Sequence, residues 1–215
     1  MKIHQLFSVP LAEFHNPEAA QLNPRLGKLF LERESCGDKY RDPHKRDTQS
    51  QEVFESRFDL FTWPEPEVRE VAGFVHRSLS RLLVSIGNFD EASFRKLKFV
   101  YDAWFHVTRT GGYQGVHNHP NASWSGIYCV DPGDNLETQP DSGVVRMIDP
   151  KANATFYADA GSEQLKMPFT LGGAQIRHEA GKLVIFPSYL LHEVFAYTGK
   201  RPRIVIAFNC QVRRS

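Results

Sequence analysis

The chain has 215 residues, of which 41% are apolar, and its 26 Lys and Arg residues against 25 Asp and Glu give a formal net charge of +1. A chain of this length buries roughly 70% of its unfolded surface, so we expect one domain over residues 1–215. The balanced charge excludes a protein that binds polyanions over its whole surface, and it predicts no nucleic-acid partner. Nine histidines stand out against this average composition.

The cysteine content and the hydropathy of the chain further limit the class of protein. The three cysteines, Cys36, Cys129 and Cys210, are too few and too far apart for a disulfide framework or a paired-thiol zinc site, so we expect free thiols. Residues 1–20 lack the continuous apolar stretch of a signal peptide. The longest apolar runs, such as residues 183–186, fall far short of the ~20 residues of a membrane helix. These features predict a cytoplasmic protein without a membrane partner.

The first part of the chain, residues 1–95, is predicted to be a strand followed by supporting helices. Residues 3–9 have a strand-like pattern, and the Asn-Pro pairs at 16–17 and 23–24 each resemble a helix N-cap with proline in the first helical position. The polar stretch 32–57 is predicted to be a long loop. An apolar stripe at helical spacing predicts the most secure helix over about 65–84.

The remainder, residues 96–215, changes to short strand-like runs separated by turns rich in glycine and proline. Such a pattern is typical of a β-sandwich or barrel. Residues 151–178 are weakly patterned and are predicted to be a loop over one mouth of it. The fold class is therefore mainly β with N-terminal helices, an α+β arrangement. The predicted strands are 99–108, 125–130, 144–148, 183–186 and 204–208.

The most informative local feature is a pair of histidines, His117 and His119, which follow a glycine-rich turn. In a strand, residues two apart point to the same face, so both imidazoles can hold one metal ion. Two solvent-facing histidines beside a turn would give the same pattern. A third histidine, His192, follows a buried strand and a proline turn. These three ligands would leave other metal positions open, as catalytic sites do.

Two glycine-led segments, residues 111–119 and 181–192, resemble the double-stranded β-helix shared by cupins and iron/2-oxoglutarate dioxygenases. Those dioxygenases carry His-x-Asp or His-x-Glu, a distant His and then an Arg about ten residues later. Here Arg201 and Arg203 follow His192 by nine and eleven residues. The chain over 104–209 is similar to the 2-oxoglutarate/iron oxygenases related to prolyl hydroxylases. The similar stretches are 119–120, 125–128, 143–146, 149–150, 186–188, 192–194 and 203–209.

This resemblance implies a double-stranded β-helix (jelly-roll) core in which His117, His119 and His192 hold Fe(II). It further implies that 2-oxoglutarate and molecular oxygen are consumed while a small-molecule or peptide substrate is hydroxylated and succinate and CO₂ are released. An arginine is suited to the buried carboxylate of the co-substrate. Strand parity would place Arg201 and Arg203 on one face, and we prefer Arg203 because it leads directly into the last apolar strand.

The sequence departs from the family pattern at two positions. His119 stands where the dioxygenases usually have an acidic ligand, so the iron site would be one unit more positive. Cys129 stands where related enzymes often have a tyrosine that holds the co-substrate, and we expect Tyr128 to be among the residues that compensate. Two alternatives stay open: a cupin-like three-His metalloprotein that uses no 2-oxoglutarate, and a non-enzymatic metal-binding module.

The other histidines are predicted to be structural. Trp104 and His106 lie two apart on a strand that enters the glycine turn, so a position facing the pocket stays open for both. We expect Trp104 to pack in the core and His106 to be a hydrogen-bonded core residue beside it. The remaining five have no partner at ligand spacing and are predicted to lie at the surface or to cap other elements. These are His4, His15, His44, His76 and His178.

Overall fold

The fold is described by a computed structural model that covers residues 1–44, 46–134, 137–151 and 159–214. Three α-helices lie before the long strands: α1 (Ala19–Ser35), α2 (Pro66–Ile86) and the short α3 (Glu91–Phe94), with 3-10 turns at Gly37–Lys39 and Leu60–Thr62. The strands are β1 (Ala12–His15), β2 (Val53–Glu55), β3 (Leu97–Thr108), β4 (Gln114–His117), β5 (Trp124–Asp131), β6 (Val145–Met147), β7 (Ala174–Ile176), β8 (Lys182–Pro187), β9 (His192–Val194) and β10 (Arg203–Arg214).

The strands form two antiparallel sheets. The larger has the order β1-β8-β5-β10-β3-β2, and the smaller has the order β4-β9-β6-β7. Apolar side chains from both sheets pack together in the space between them, because alternate residues of each strand point to this inner side. This inner cluster contains Ile127, Val145, Met147, Ile176, Val184, Phe186, Leu190, Val194 and Val205.

Helices α1 and α2 cover the outer face of the larger sheet. The apolar stripe of α2 is buried against it, as the helical spacing predicts. The central strand β10 shows how the two faces divide: Ile204, Ile206 and Phe208 join the helices in the outer cluster. Arg203 and Val205 alternate with them and line an inner cavity instead. The helical layer therefore leaves the inner face free to form a site.

The mainly β architecture with N-terminal helices is confirmed, but several element boundaries differ. The strand predicted at 3–9 is wrong: these residues have no regular structure, and the strand is β1, where Ala12–His15 pairs with β8. Pro24 does not start a helix but lies inside α1. Helix α1 begins at Ala19, after a turn in which Asn16 Oδ1 accepts a hydrogen bond of 3.1 Å from the Glu18 N–H.

The segment predicted as one loop over 32–57 is partly structured. Helix α1 continues to Ser35, and β2 pairs with β3 at the edge of the larger sheet. A three-residue strand is too short to produce a periodic pattern, which explains why the sequence does not reveal it. In the loop predicted at 151–178, β7 pairs with β6, while residues 152–158 lie outside the described ranges.

The two predicted parts of the chain share one sheet. Strands β1 and β2 come from residues 1–95, yet they pair with β8 and β3. The larger sheet thus joins both parts. The division of the chain near residue 95 stays a prediction about where the type of structure changes.

Candidate active site

Three histidines converge at one end of the space between the sheets. Strands β4 and β9 pair so that His117 lies directly opposite His192. His119 follows β4, and its backbone N–H donates a 3.0 Å hydrogen bond to the Ser188 carbonyl, which fixes the turn beside β8. The ring centroids of His117 and His192 are 4.3 Å apart, and each is 5.2 Å from that of His119. One nitrogen of each ring lies within 4.8 Å of the other two.

Local hydrogen bonds prepare two of these rings as ligands. His117 Nδ1 lies 2.7 Å from the Gly115 carbonyl, and His192 Nδ1 lies 2.9 Å from the Leu190 carbonyl. Because a carbonyl oxygen only accepts, each Nδ1 carries the proton, and each Nε2 keeps a lone pair for a metal. Burial lowers the pKa of all three histidines, to about 3 for His119 and about 4 for His192. Three neutral imidazoles fit Fe(II) and similar transition metals.

A carboxylate does not complete this cluster among the residues that the structure describes. Two acidic residues that could be considered as a fourth ligand are engaged elsewhere, since Asp131 binds Arg201 and Glu193 pairs with Arg146. The position usually occupied by an acidic ligand is thus filled by His119, as the sequence indicates.

Arg203 lies in the same cavity as the three histidines. It is only 4% exposed, and no ion pair or hydrogen bond reaches its guanidinium from within the described parts of the chain. Burial lowers its pKa. A buried, unpaired cation is costly, so this arrangement favours an anionic ligand beside it.

Arg201 is in a different environment. It precedes β10, is exposed, and its Nε donates a 3.0 Å hydrogen bond to Asp134 Oδ1. The sequence prediction that strand parity places Arg201 and Arg203 on one face is wrong, because the strand begins only at Arg203. The structure brings Arg203 to the cavity and leaves Arg201 in a surface ion-pair network.

The expectation that Tyr128 helps to hold the co-substrate needs correction. Its ring packs in the outer cluster against the helices. Its hydroxyl donates to Asn23 Oδ1 at 2.6 Å and accepts from Asn16 Nδ2 at 3.2 Å. The physical reason is strand alternation: Ile127 faces inward on β5 and Cys129 pairs with the inward-facing Val205, so Tyr128 between them faces outward.

A buried polar network forms the cavity wall next to the histidines. His106 Nε2 lies 2.8 Å from Glu55 Oε2 and 3.0 Å from Trp104 Nε1. The indole N–H of Trp104 donates to His106 Nε2 only in the state in which that nitrogen carries no proton, because one ring nitrogen cannot donate to Glu55 and accept from Trp104 at the same time. Trp104 and His106 are buried as predicted, and both also line the cavity.

Glu55 and Arg46 are site-wall residues that the sequence did not indicate. Burial alone raises the pKa of Glu55, but the hydrogen bond from His106 and the positive charge around it, including Arg46, lower the pKa to about 2. Arg46 Nε donates to Glu55 Oε1 at 2.9 Å. Both residues fall in the segment predicted as a loop, where only the short apolar run before Glu55 could have signalled a strand.

The fold and the site together define a metal-dependent oxygenase on a double-stranded β-helix. Residues 102–209, half of the chain, match the family model described as "Putative 2OG-Fe(II) oxygenase", and the chain belongs to this family. No curated protein matches the sequence. The predictions of an Fe(II)- and 2-oxoglutarate-dependent enzyme and of its two cofactors are confirmed.

Solved structures support the same fold. A prolyl-4-hydroxylase from Pseudomonas putida is similar with a TM-score of 0.63 and 15% identity, over 95% of this chain and 94% of that one. A Trichoplax adhaerens prolyl hydroxylase in complex with a hypoxia inducible factor peptide fragment gives a TM-score of 0.63 and 13% identity, over 94% and 83%. HygX from Streptomyces hygroscopicus, with nickel, 2-oxoglutarate and hygromycin B bound, gives 0.57 and 11%, over 95% and 83%.

These likenesses confirm the double-stranded β-helix core with flanking helices. Family membership favours the oxygenase over the cupin-like and non-enzymatic alternatives, and it makes molecular oxygen a reactant. Within the described residues, no helix is long and apolar enough to cross a membrane.

Proposed function

We propose that His117, His119 and His192 hold Fe(II), that Arg203 binds the distal carboxylate of 2-oxoglutarate, and that the enzyme hydroxylates a C–H bond of its substrate. The observation that carries this proposal is the buried, unpaired guanidinium of Arg203 in the cavity that the three histidines line. A carboxylate placed there gains a charge-assisted, bidentate partner in a site shielded from water.

The chain's own residues bind the metal and orient the histidine rings that hold it. The Gly115 and Leu190 carbonyls fix the tautomers of His117 and His192, so both rings present Nε2 without a deprotonation step at neutral pH. Phe186 packs against His192 with ring centroids 5.0 Å apart and shields that ligand. When bound, Fe(II) supplies the oxygen chemistry that side chains lack, and substrate, O₂ and 2-oxoglutarate become hydroxylated substrate, succinate and CO₂.

The substrate, a small molecule or a peptide side chain, enters from a second cavity that shares His117 and His119 with the first. This second cavity has a volume of about 200 Å³ and is lined also by Arg46, Gln49 and Phe58. The Arg46 guanidinium lies 5.2 Å from the centre of the Phe58 ring. Its polar and aromatic lining favours a polar group next to the C–H bond that reacts.

We also propose a cytoplasmic location. The support is that Cys36, Cys129 and Cys210 are all free thiols, which suits a reducing compartment. Fractionation of the producing cells would test this, and recovery of the protein outside the cytoplasm would contradict it.

The decisive experiment is an anaerobic titration of the protein with Fe(II) and 2-oxoglutarate. We expect the weak visible charge-transfer band of the chelate to appear, and we expect slow succinate formation after air is admitted. His192→Ala removes a ligand and should abolish both signals, whereas His76→Ala alters an exposed histidine on α2 and should preserve them. Absence of the band and of succinate in the unaltered protein would refute the proposed function.

A further inference from the structure

The three histidines of the candidate metal site are not held equally. The Nδ1 atoms of His117 and His192 lie 2.7 Å and 2.9 Å from the carbonyls of Gly115 and Leu190. For His119, neither ring nitrogen has a hydrogen-bond partner among the residues that the structure describes. A histidine that binds a metal almost always donates its other ring N–H to such a partner, which fixes the ring and makes it a better ligand. His119 is therefore the ligand with the least support.

The surroundings of His119 also leave its ring more freedom. His117 and His192 lie opposite each other in paired strands, whereas His119 lies outside the strands, after the end of β4. Its ring is 5.8 Å from that of Trp104, centre to centre, and this ring contact sets neither the tautomer nor the direction of a nitrogen lone pair. His119 also lines the second cavity, which gives the ring room to turn away from the other two histidines.

The charge of the site favours an anionic ligand in the position of His119. Three neutral imidazoles leave the charge of a divalent metal uncompensated, and no carboxylate completes the cluster within the described ranges of the chain. Two histidines and one carboxylate form a common ligand set for non-haem Fe(II). A carboxylate in place of His119 would produce this set and would offset one unit of positive charge.

We propose that His119 is an exchangeable ligand: His117 and His192 hold the metal throughout, and a carboxylate that enters through the second cavity takes the place of His119. The exchange breaks the bond from the metal to a ring nitrogen of His119 and forms one to a carboxylate oxygen. No proton or electron moves, because the imidazole leaves neutral and the carboxylate arrives ionised. The inference rests on the proposed function, and it adds a direct binding mode for a substrate that carries a carboxylate.

The affinity for Co(II), measured by competition with a chelating dye, tests this inference without turnover. For His117→Ala and for His192→Ala, we expect the affinity to fall by at least about a hundredfold. For His119→Ala, we expect a loss of about tenfold or less, because outer partners such as those that His119 lacks are themselves worth about 10–100-fold in metal affinity. Acetate should restore the affinity of His119→Ala and not that of the other two variants. His76→Ala, which alters an exposed histidine on α2, is the matched control and should bind Co(II) normally.

Proton NMR of the unaltered protein loaded with Co(II) covers the case in which a variant does not fold. The ring N–H protons of His117 and His192 are held by carbonyls, so they should give two shifted signals that exchange slowly with water. The ring N–H of His119 should exchange too fast to be observed. Acetate should move the ring C–H signals of His119 towards their metal-free positions and should leave those of His117 and His192 shifted.

Two results would overturn the inference alone. One is a loss of Co(II) affinity in His119→Ala as large as in His117→Ala, and the other is a set of His119 ring signals that acetate does not move. If the unaltered protein bound neither Co(II) nor Fe(II), the proposed function would be overturned as well.

Discussion

The two faces of β10 are built from the same strand but have opposite character. On the outer face, Ile204, Ile206 and Phe208 pack against aromatic side chains and the helices. On the inner face, Arg203 begins a row that lines the candidate active site. These three outer residues are apolar, whereas the inner face carries a buried cation at its start. One strand therefore contributes packing on one side and part of the lining of the candidate active site on the other.

The same division explains the neighbouring strand β5. Tyr128 faces the helices, where two asparagines bind its hydroxyl, and Cys129 faces the inner side. Changes on the outer face should therefore affect the free energy of unfolding, and changes on the inner face should affect ligand binding. Single substitutions on the two faces test this difference.

The largest effect is expected from Phe208→Ala on the outer face. Phe208 is fully buried and contacts the rings of Tyr101 and Phe61 at centroid distances of 6.0 and 6.3 Å. Removing it leaves a cavity, so we expect the free energy of unfolding in urea to fall by about 3–5 kcal/mol. The folded variant should still bind nickel and 2-oxoglutarate with nearly unchanged affinity. A large loss of ligand affinity at a temperature where the variant is folded would break the distinction.

Arg203→Ala on the inner face should weaken ligand binding without destabilising the fold. Loss of a bidentate, charge-assisted contact is expected to weaken 2-oxoglutarate binding by about a hundredfold. The free energy of unfolding should change little or increase, because a buried and unpaired charge is removed. Calorimetry on the nickel-loaded protein and urea unfolding measure the two quantities. Arg201→Ala, which breaks exposed ion pairs with Asp131 and Asp134, is the control and should leave binding unchanged.

Glu55 tests whether the wall of the candidate active site also stabilises the fold. Its pKa of about 2, against an ordinary value of 4.5, means that the ionised carboxylate is favoured in the folded state. This contribution is present above pH 4.5 and is lost as the pH falls from 4.5 towards 2. Glu55→Gln should lower the free energy of unfolding at pH 7 by roughly 1–3 kcal/mol and should flatten its dependence on pH in that window. An unchanged slope between pH 5 and pH 3 would contradict this.

The sequence predicts the elements that have a regular spacing of apolar residues and the groups of residues that a motif brings together. The apolar stripe of α2, the long strands and the grouping of His117, His119 and His192 all follow from spacing and family resemblance. The sequence does not predict which side of a strand faces the ligand when two adjacent residues are both chemically suitable. For that reason Tyr128 was an incorrect candidate.

Contacts between distant segments are also hidden from the sequence. Glu55 and Arg46 reach the site because the short strand β2 pairs with β3. No local pattern marks either residue, because each gains its role only when strands far apart in the chain are in register.

The smallest effect is expected from Tyr128→Phe, which tests the same division into an outer and an inner face on β5. This change removes the hydroxyl and leaves the ring, so the hydrogen bonds to Asn23 and Asn16 are lost while the packing is kept. We expect the free energy of unfolding to fall by about 1–2 kcal/mol, because two buried amides lose a partner. The affinity for 2-oxoglutarate should stay the same, since the hydroxyl lies on the helical side of the sheet. A several-fold loss of 2-oxoglutarate affinity without a change in unfolding would instead place Tyr128 in the co-substrate site. The alternation of β5 would then have to be reassigned.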